Sequence, residues 1–366
     1  MADVGRLAGG AGLHSPDPDP DDTIRIAPPV SKPPLLTSRR AWIAGAGILG
    51  TACLLRGVSS LMLTPRAPPV APVAVRTPAP PIVATPAPAP TPPAPPPGLP
   101  IQTASEQEIL RHVPTGLTVF RFADDQRILV LDFASLHEQG MMLNRVAALV
   151  EKAGQPRNRV LSDGELAAAI RGDGDTPETY YYGHDYSAAS LRRFFALADD
   201  AHLPLDPQEE TLRRLLHQVD WFNPDARAGL ISIPAVGADA NVTLSARGTI
   251  LHHELSHGMF FGDPDYASFV HAFWETALSG EERGGVRRFL GSEGYDTNYE
   301  ELMYNEMQAY LMFTRDPEFF TPERAGMTTP RLADLQTQFL RGMPTGWLRE
   351  ALAATPVLVP AAAHGR

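Results

Sequence analysis

Within Thr249-Ile250-Leu251-His252-His253-Glu254-Leu255-Ser256-His257-Gly258, two histidines stand four residues apart with a glutamate directly after the first. On a helix, residues i and i+4 lie one above the other with Cβ atoms about 5–6 Å apart, so His253 and His257 can close on a single zinc ion. Glu254 is rotated by about 100° from His253, which puts it beside such a metal, where it can take a proton from a metal-activated water. The residues around the pattern, Ile250, Leu251, Met259, Phe260 and Phe261, are apolar, so the helix is expected to be buried. Two imidazoles and a carboxylate in a buried helix carry a desolvation penalty unless they are paired or metal-bound. His252 points to another part of the helix surface and is expected to be satisfied locally.

A hydrolytic zinc keeps one position open for water and needs a third protein ligand. Glu306 is one candidate: it shares a helix face with Leu302, Met303 and Tyr310, an acid on an otherwise apolar and aromatic stripe. Asp263, six residues after His257, is another, and Glu300 and Glu301 are further acids on the Glu306 segment. A donor for the developing oxyanion can come from Tyr299, seven residues before Glu306, from Tyr310, one turn after it, or from Tyr295 in the preceding loop. The run Tyr180-Tyr181-Tyr182 followed by His184-Asp185-Tyr186 can supply a cleft wall or a further donor.

The pair formed by His253-Glu254-Leu255-Ser256-His257 and the later Asn305-Glu306 resembles the gluzincin class of zinc metallopeptidases. The resemblance covers residues 250–311. It implies His253, His257 and Glu306 as zinc ligands, Glu254 as the base that activates water, and a Tyr or His from elsewhere at the oxyanion. Many gluzincins carry Asp four residues after the ligand Glu, bracing a zinc histidine. Here that position is Tyr310, so the outer support of the histidines must be built differently.

The elements that must hold these residues are a helix over about 248–261 and a second over about 299–313. Helices over about 265–279 and 280–290 are expected between them, followed by the loop Gly291 to Asn298. Upstream, Arg127 to Phe133, Leu230 to Ile233 and Val242-Thr243-Leu244 read as strands. Met141 to Ala153, Asp163 to Arg171, Ala188 to Ala198 and Pro207 to Gln218 read as helices. The expected class is α+β, with a small mixed α/β front part followed by a mainly helical, zincin-like part. The metallopeptidase-like domain is placed at 101–345 and a C-terminal helix and tail at 346–366.

The first hundred residues concern placement. Residues 1–37 are rich in Asp, Pro and Gly without periodicity and read as a disordered tail. Residues 38–64 open with Arg39-Arg40 before a mild apolar run, which resembles a twin-arginine export signal. The apolar span 41–63 is also long enough to tether the chain to a membrane. Sixteen prolines lie between Pro65 and Pro100, the composition of an extended polyproline spacer. The chain is expected to be an exported bacterial protein, periplasmic or anchored in the inner membrane with its domain facing the periplasm. A lipid-bearing Cys53 is a further option for the anchor.

With 31 basic and 42 acidic residues, a net charge of −11 and no sustained basic run after residue 100, a nucleic-acid partner is disfavoured. Cys53 is the only cysteine, which removes disulfide, iron–sulfur and thiol-nucleophile chemistry from the folded part. What is left is a Zn²⁺-dependent hydrolase acting on a peptide or protein substrate. Two alternatives stay open: the same zinc site acting on a non-protein amide such as a cell-wall peptide linkage, and an inactive exported binding or scaffold protein.

Overall fold

The structure, a computed structural model, describes residues 98–354. The expected tail, export or anchor segment, most of the proline-rich spacer and the last residues of the chain lie outside the described residues. Among the described residues no helix is long and apolar enough to cross a membrane.

All five strands lie before residue 235: β1 (Ile101–Ala104), β2 (Thr118–Phe122), β3 (Ile128–Phe133), β4 (His184–Ser187) and β5 (Gly229–Pro234). They form one mixed sheet in the order β1-β2-β3-β5-β4, with β3 and β5 parallel at its centre and β4 antiparallel to β5 at one edge. The two central strands are buried along their whole length, which is why they read as mainly apolar runs, interrupted by Asp132 in β3 and Ser232 in β5. Side chains still alternate between the faces. Leu129, Leu131 and Phe133 pack into the core shared with α2 (Leu136–Val150), α4 (Ala188–Asp200) and α5 (Pro207–Gln218). Ile128, Val130, Ile231 and Ile233 pack on the opposite face against α6 (Leu244–Gly262), the helix that carries the His-Glu-His pattern.

Two features fix α6 on the sheet. The Cα of Gly258 lies so close to Gly229 of β5 that a Cβ on Gly229 would stand 2.9 Å from it, and a Cβ on Gly258 would meet the Ile128 side chain at 2.9 Å. Glycines at both positions let the helix backbone approach the sheet directly below His257. At the other end, the fully buried Arg247 donates two parallel hydrogen bonds to Asp132 of β3, at 2.8 and 2.9 Å, and others to the carbonyls of Pro234 and Ile109. A buried guanidinium satisfied in this way fixes the rotation of α6 as well as its position.

The rest of the domain is helical: α7 (Pro264–Ala277), α8 (Gly280–Glu293), α9 (Glu300–Gln308), α10 (Thr329–Gly342) and α11 (Trp347–Ala354) surround a third core that includes Trp274, Phe289, Leu311 and Phe339. A π-helical turn, Ala309–Phe313, directly continues α9. The mixed α/β class with a sheet-bearing front and a helical rear agrees with the sequence reading. The expected strand at Val242-Thr243-Leu244 is corrected: Asp239 and Val242 close a turn, and Thr243 caps α6 by accepting from the Ala246 amide. A threonine that can satisfy a free helix amide outweighs its strand propensity. β1, β2 and β4 are strands for which the sequence reading carries no expectation.

Because the strand–helix approach at Gly229 has no room for a methyl group, Gly229→Ala is expected to destabilise the full chain by about 1–3 kcal/mol. Thermal unfolding followed by circular dichroism should show a midpoint several degrees lower; an unchanged midpoint would mean that the close approach is not a constraint.

Candidate metal centre

Helix α6 presents His253 and His257 on one face with their Nε2 atoms 3.1 Å apart. Oε2 of Glu306, from the facing helix α9, lies 3.9 Å from the first and 3.8 Å from the second. The circle through these three atoms has a radius of about 2.1 Å, the length of a zinc–nitrogen or zinc–carboxylate bond. Neither Glu306 oxygen has a hydrogen-bond partner among the described residues, although Glu306 is fully buried. An orphaned buried carboxylate facing two ring nitrogens at these separations fits a divalent cation.

The outer contacts of the rings favour the same arrangement. Thr314 Oγ1 donates to the Ala309 carbonyl at 3.0 Å and so accepts from Nδ1–H of His253 at 2.8 Å, leaving the His253 Nε2 lone pair free. The π turn creates this contact: the Thr314 amide also reaches back to the Ala309 carbonyl, five residues before it. Nδ1 of His257 faces Oδ1 of Asp185 at 3.6 Å, beyond a normal hydrogen bond, with the buried Asn305 as a further neighbour. An N–H···N bond between the two rings would use the proton of His257 Nε2 and turn a bare Nδ1 lone pair toward the Asp185 carboxylate. A cation between the Nε2 atoms avoids that repulsion and lets Nδ1–H point at the acid.

Asp185, the acid that faces Nδ1 of His257, lies on the edge strand β4. It also converges with Glu254 and His257 as a second group able to hold a metal. That group would engage His257 through the side of the ring that faces Asp185, while Nε2 faces Glu306 and His253, so Asp185 is better placed to orient His257 than to share its ion.

The protonation states follow from burial and crowding. Burial first, then the other histidines, hold His253 well below the usual imidazole range; burial also lowers His257, to about 4, against the pull of Asn305. Both rings are therefore neutral and able to act as ligands. Burial, followed by the charges of Glu151 and Glu254, pushes Glu306 well up, while the Tyr295 phenol pulls the other way. Glu254 is raised by burial and by Glu151, and Asp185 by burial and by Glu151, Glu254 and Glu306. Glu151 itself is pushed up to about 8 by burial, against Lys152, Arg157 and Tyr181. Such a set of buried acids is electrostatically unfavourable without positive charge among them.

A relay across three helices holds α6 against α9. Tyr266 donates to Gln308 Oε1 at 2.8 Å, Gln308 Nε2 donates to Ser256 Oγ at 3.0 Å, and Ser256 donates to the His253 carbonyl at 2.6 Å. Glu254 lies against Gly183, where a Cβ would stand 2.0 Å from Glu254 Oε1, so only glycine admits the carboxylate. Above the centre a cleft has Ile250, His253 and Glu254 as its floor and Tyr181, Tyr295 and Tyr310 among its walls.

The other sequence candidates fall elsewhere. Asp263 caps α7 by accepting from the amides of Asp265 and Tyr266 and faces Arg127, so it is no ligand. Glu300 accepts from Trp274 and Arg287, and Glu301 is exposed. Tyr299 caps the start of α9 with φ −96° and ψ 103°, is 46% exposed, and is not among the residues that line the cleft. Tyr310 does reach the centre, its ring 4.7 Å from that of His253, and Tyr295 lines the same cleft. His252 faces Glu106, from a distant part of the chain, through Nδ1 at 3.3 Å, while its Nε2 is buried without a hydrogen-bond partner among the described residues. His184 is buried behind the wall against Gln139 and Ser232 and held at about 3, chiefly by burial. Sequence reasoning assigned no role to Thr314 or Gly183, and gave Asp185 only a place in an aromatic run that could form a cleft wall or a donor.

Comparisons with protein-family models, curated proteins and solved structures find no match for this chain. In a zinc-competition titration, Glu306→Ala is expected to abolish tight binding, and Asp185→Asn to weaken it by about 10–100-fold. Unchanged affinity in Asp185→Asn would remove that residue from the support of His257.

Proposed function

We propose that this chain is a zinc-dependent hydrolase of peptide bonds, with His253, His257 and Glu306 as ligands and Glu254 as general base. The observation that carries the reading is the convergence of both Nε2 atoms and the unpartnered Glu306 carboxylate around one point about 2.1 Å from each, the reach of zinc. A buried glutamate beside that point adds the group that hydrolysis requires and a purely structural site does not. The order of sheet, His-Glu-His helix and glutamate-bearing helix supports a zincin-like arrangement.

Bound there, zinc would supply Lewis acidity toward a carbonyl and lower the pKa of water. Glu254 takes one proton from the water whose oxygen adds to the scissile carbonyl carbon. As the carbon–nitrogen bond breaks, Glu254 returns that proton to the leaving amine. Burial and the neighbouring Glu151 raise its proton affinity, which favours taking the proton from water. Of the three phenols first considered, Tyr310, against His253 at the cleft wall, and Tyr295, which lines the same cleft, are better placed than Tyr299 to donate to the carbonyl oxygen as charge develops on it. The expected export and membrane tethering would place this activity outside the cytoplasm, and an amide in a cell-wall peptide is a substrate of the same chemistry.

Glu254→Gln should retain zinc and lose turnover of a peptide-library substrate pool by at least about 100-fold. Gly183→Ala should also retain zinc, because its new methyl group displaces Glu254 and no ligand, and should lose a comparable factor. Normal turnover in Glu254→Gln would remove the proposed base.

A further inference from the structure

We infer that the cleft above the metal centre selects a substrate carrying a cationic side chain, of the lysine or arginine type, next to the scissile bond. This rests on the peptidase reading for the identity of the substrate, but the selectivity follows from the lining of the cleft. Asp175 and Glu293 line it together with Tyr182, Tyr295, Tyr310 and Phe319, and no lysine or arginine does. Aromatic faces attract cations, carboxylates attract them more strongly, and an anion brought into this space would be desolvated against acids.

The charge of the surroundings has the same sign. Glu293 is shared with Arg324, whose guanidinium lies over Phe289 at 4.8 Å. Behind the walls stand Glu151, Asp185 and Glu306, with Lys152 as their cationic neighbour; Arg157 is matched by Asp296. The protein already contains an instance of the recognition inferred: Lys152 Nζ sits 3.9 and 4.0 Å from the ring centres of Tyr180 and Tyr181, two tyrosines that also line this cleft. A substrate cation would meet the same ring chemistry with Asp175 and Glu293 at hand.

The test uses fluorescein-labelled Ala-Ala-Xaa-Ala-Ala peptides with Xaa as Arg, Leu or Glu, titrated by anisotropy into zinc-loaded, full-length Glu254→Gln. The Arg peptide should bind at least about tenfold more tightly than the Glu peptide, with Leu between them, a ratio within the range of cation–aromatic and charge-pair recognition. Adding Asp175→Asn should reduce that ratio at least about threefold while leaving the Leu peptide unchanged, and raised salt should shrink it as well. Equal or reversed affinities, a ratio unchanged by Asp175→Asn, or no binding of any peptide would overturn the inference. Turnover of the same peptides by the wild-type chain is scored separately: binding in the expected order without hydrolysis would sink the peptidase reading and leave the selectivity of the cleft standing.

Discussion

The fully buried carboxylate of Glu306, without a hydrogen-bond partner and opposite two neutral imidazoles, is the constraint on which the architecture turns. A charge in that position is tolerable only if something positive shares the space. Around it the chain adds acids where simple stability would favour apolar residues: Glu254 beside it on α6, Asp185 behind His257, and Glu151 within range of all three. Positive charge from Lys152 answers part of this, on the far side of the tyrosine wall. The proposed dication answers the rest and turns a strained arrangement into a preorganised one.

The surrounding fold can be understood as the means of holding that arrangement still. Gly229 and Gly258 bring α6 onto the sheet beneath His257, and the Arg247–Asp132 pair fixes its rotation. The Tyr266–Gln308–Ser256 relay sets the distance from α6 to α9, and so the distance from the histidines to Glu306. The π turn after α9 adds one residue to a helical turn and thereby swings Thr314 onto His253. Each device acts on backbone position and ring orientation, the quantities to which a metal bond of about 2 Å is most sensitive.

Legibility in the sequence followed the range of the interaction. His253, Glu254 and His257 belong to one helical turn, so their mutual placement is local and could be read from spacing alone. Glu306 was legible because an acid on the stripe formed by Leu302, Met303 and Tyr310 is anomalous wherever that stripe packs. The central strands β3 and β5 were legible because burial on both faces writes an apolar run. Asp185, Thr314 and Gly183 were not, because their roles arise from contacts between distant segments: an edge strand against a helix, a π turn against a ring, a loop against a carboxylate. Tyr299 stands at the N-cap of α9, one residue before the helix on which the seven-residue spacing to Glu306 was counted. Thr243 shows the same limit at short range, where Val242-Thr243-Leu244, read as a strand, proved to be a turn and a helix cap.

The central claim is that these three side chains bind one zinc ion and leave a position for water. X-ray absorption at the zinc edge of the metal-replete full-length protein tests it most directly. The account predicts about one zinc per chain with a first shell of only nitrogen and oxygen at about 2.0–2.1 Å, the outer-shell scattering of two imidazoles, and loss of the bound metal in Glu306→Ala. A chain that retains no zinc, or a shell lacking the two imidazoles, would contradict it.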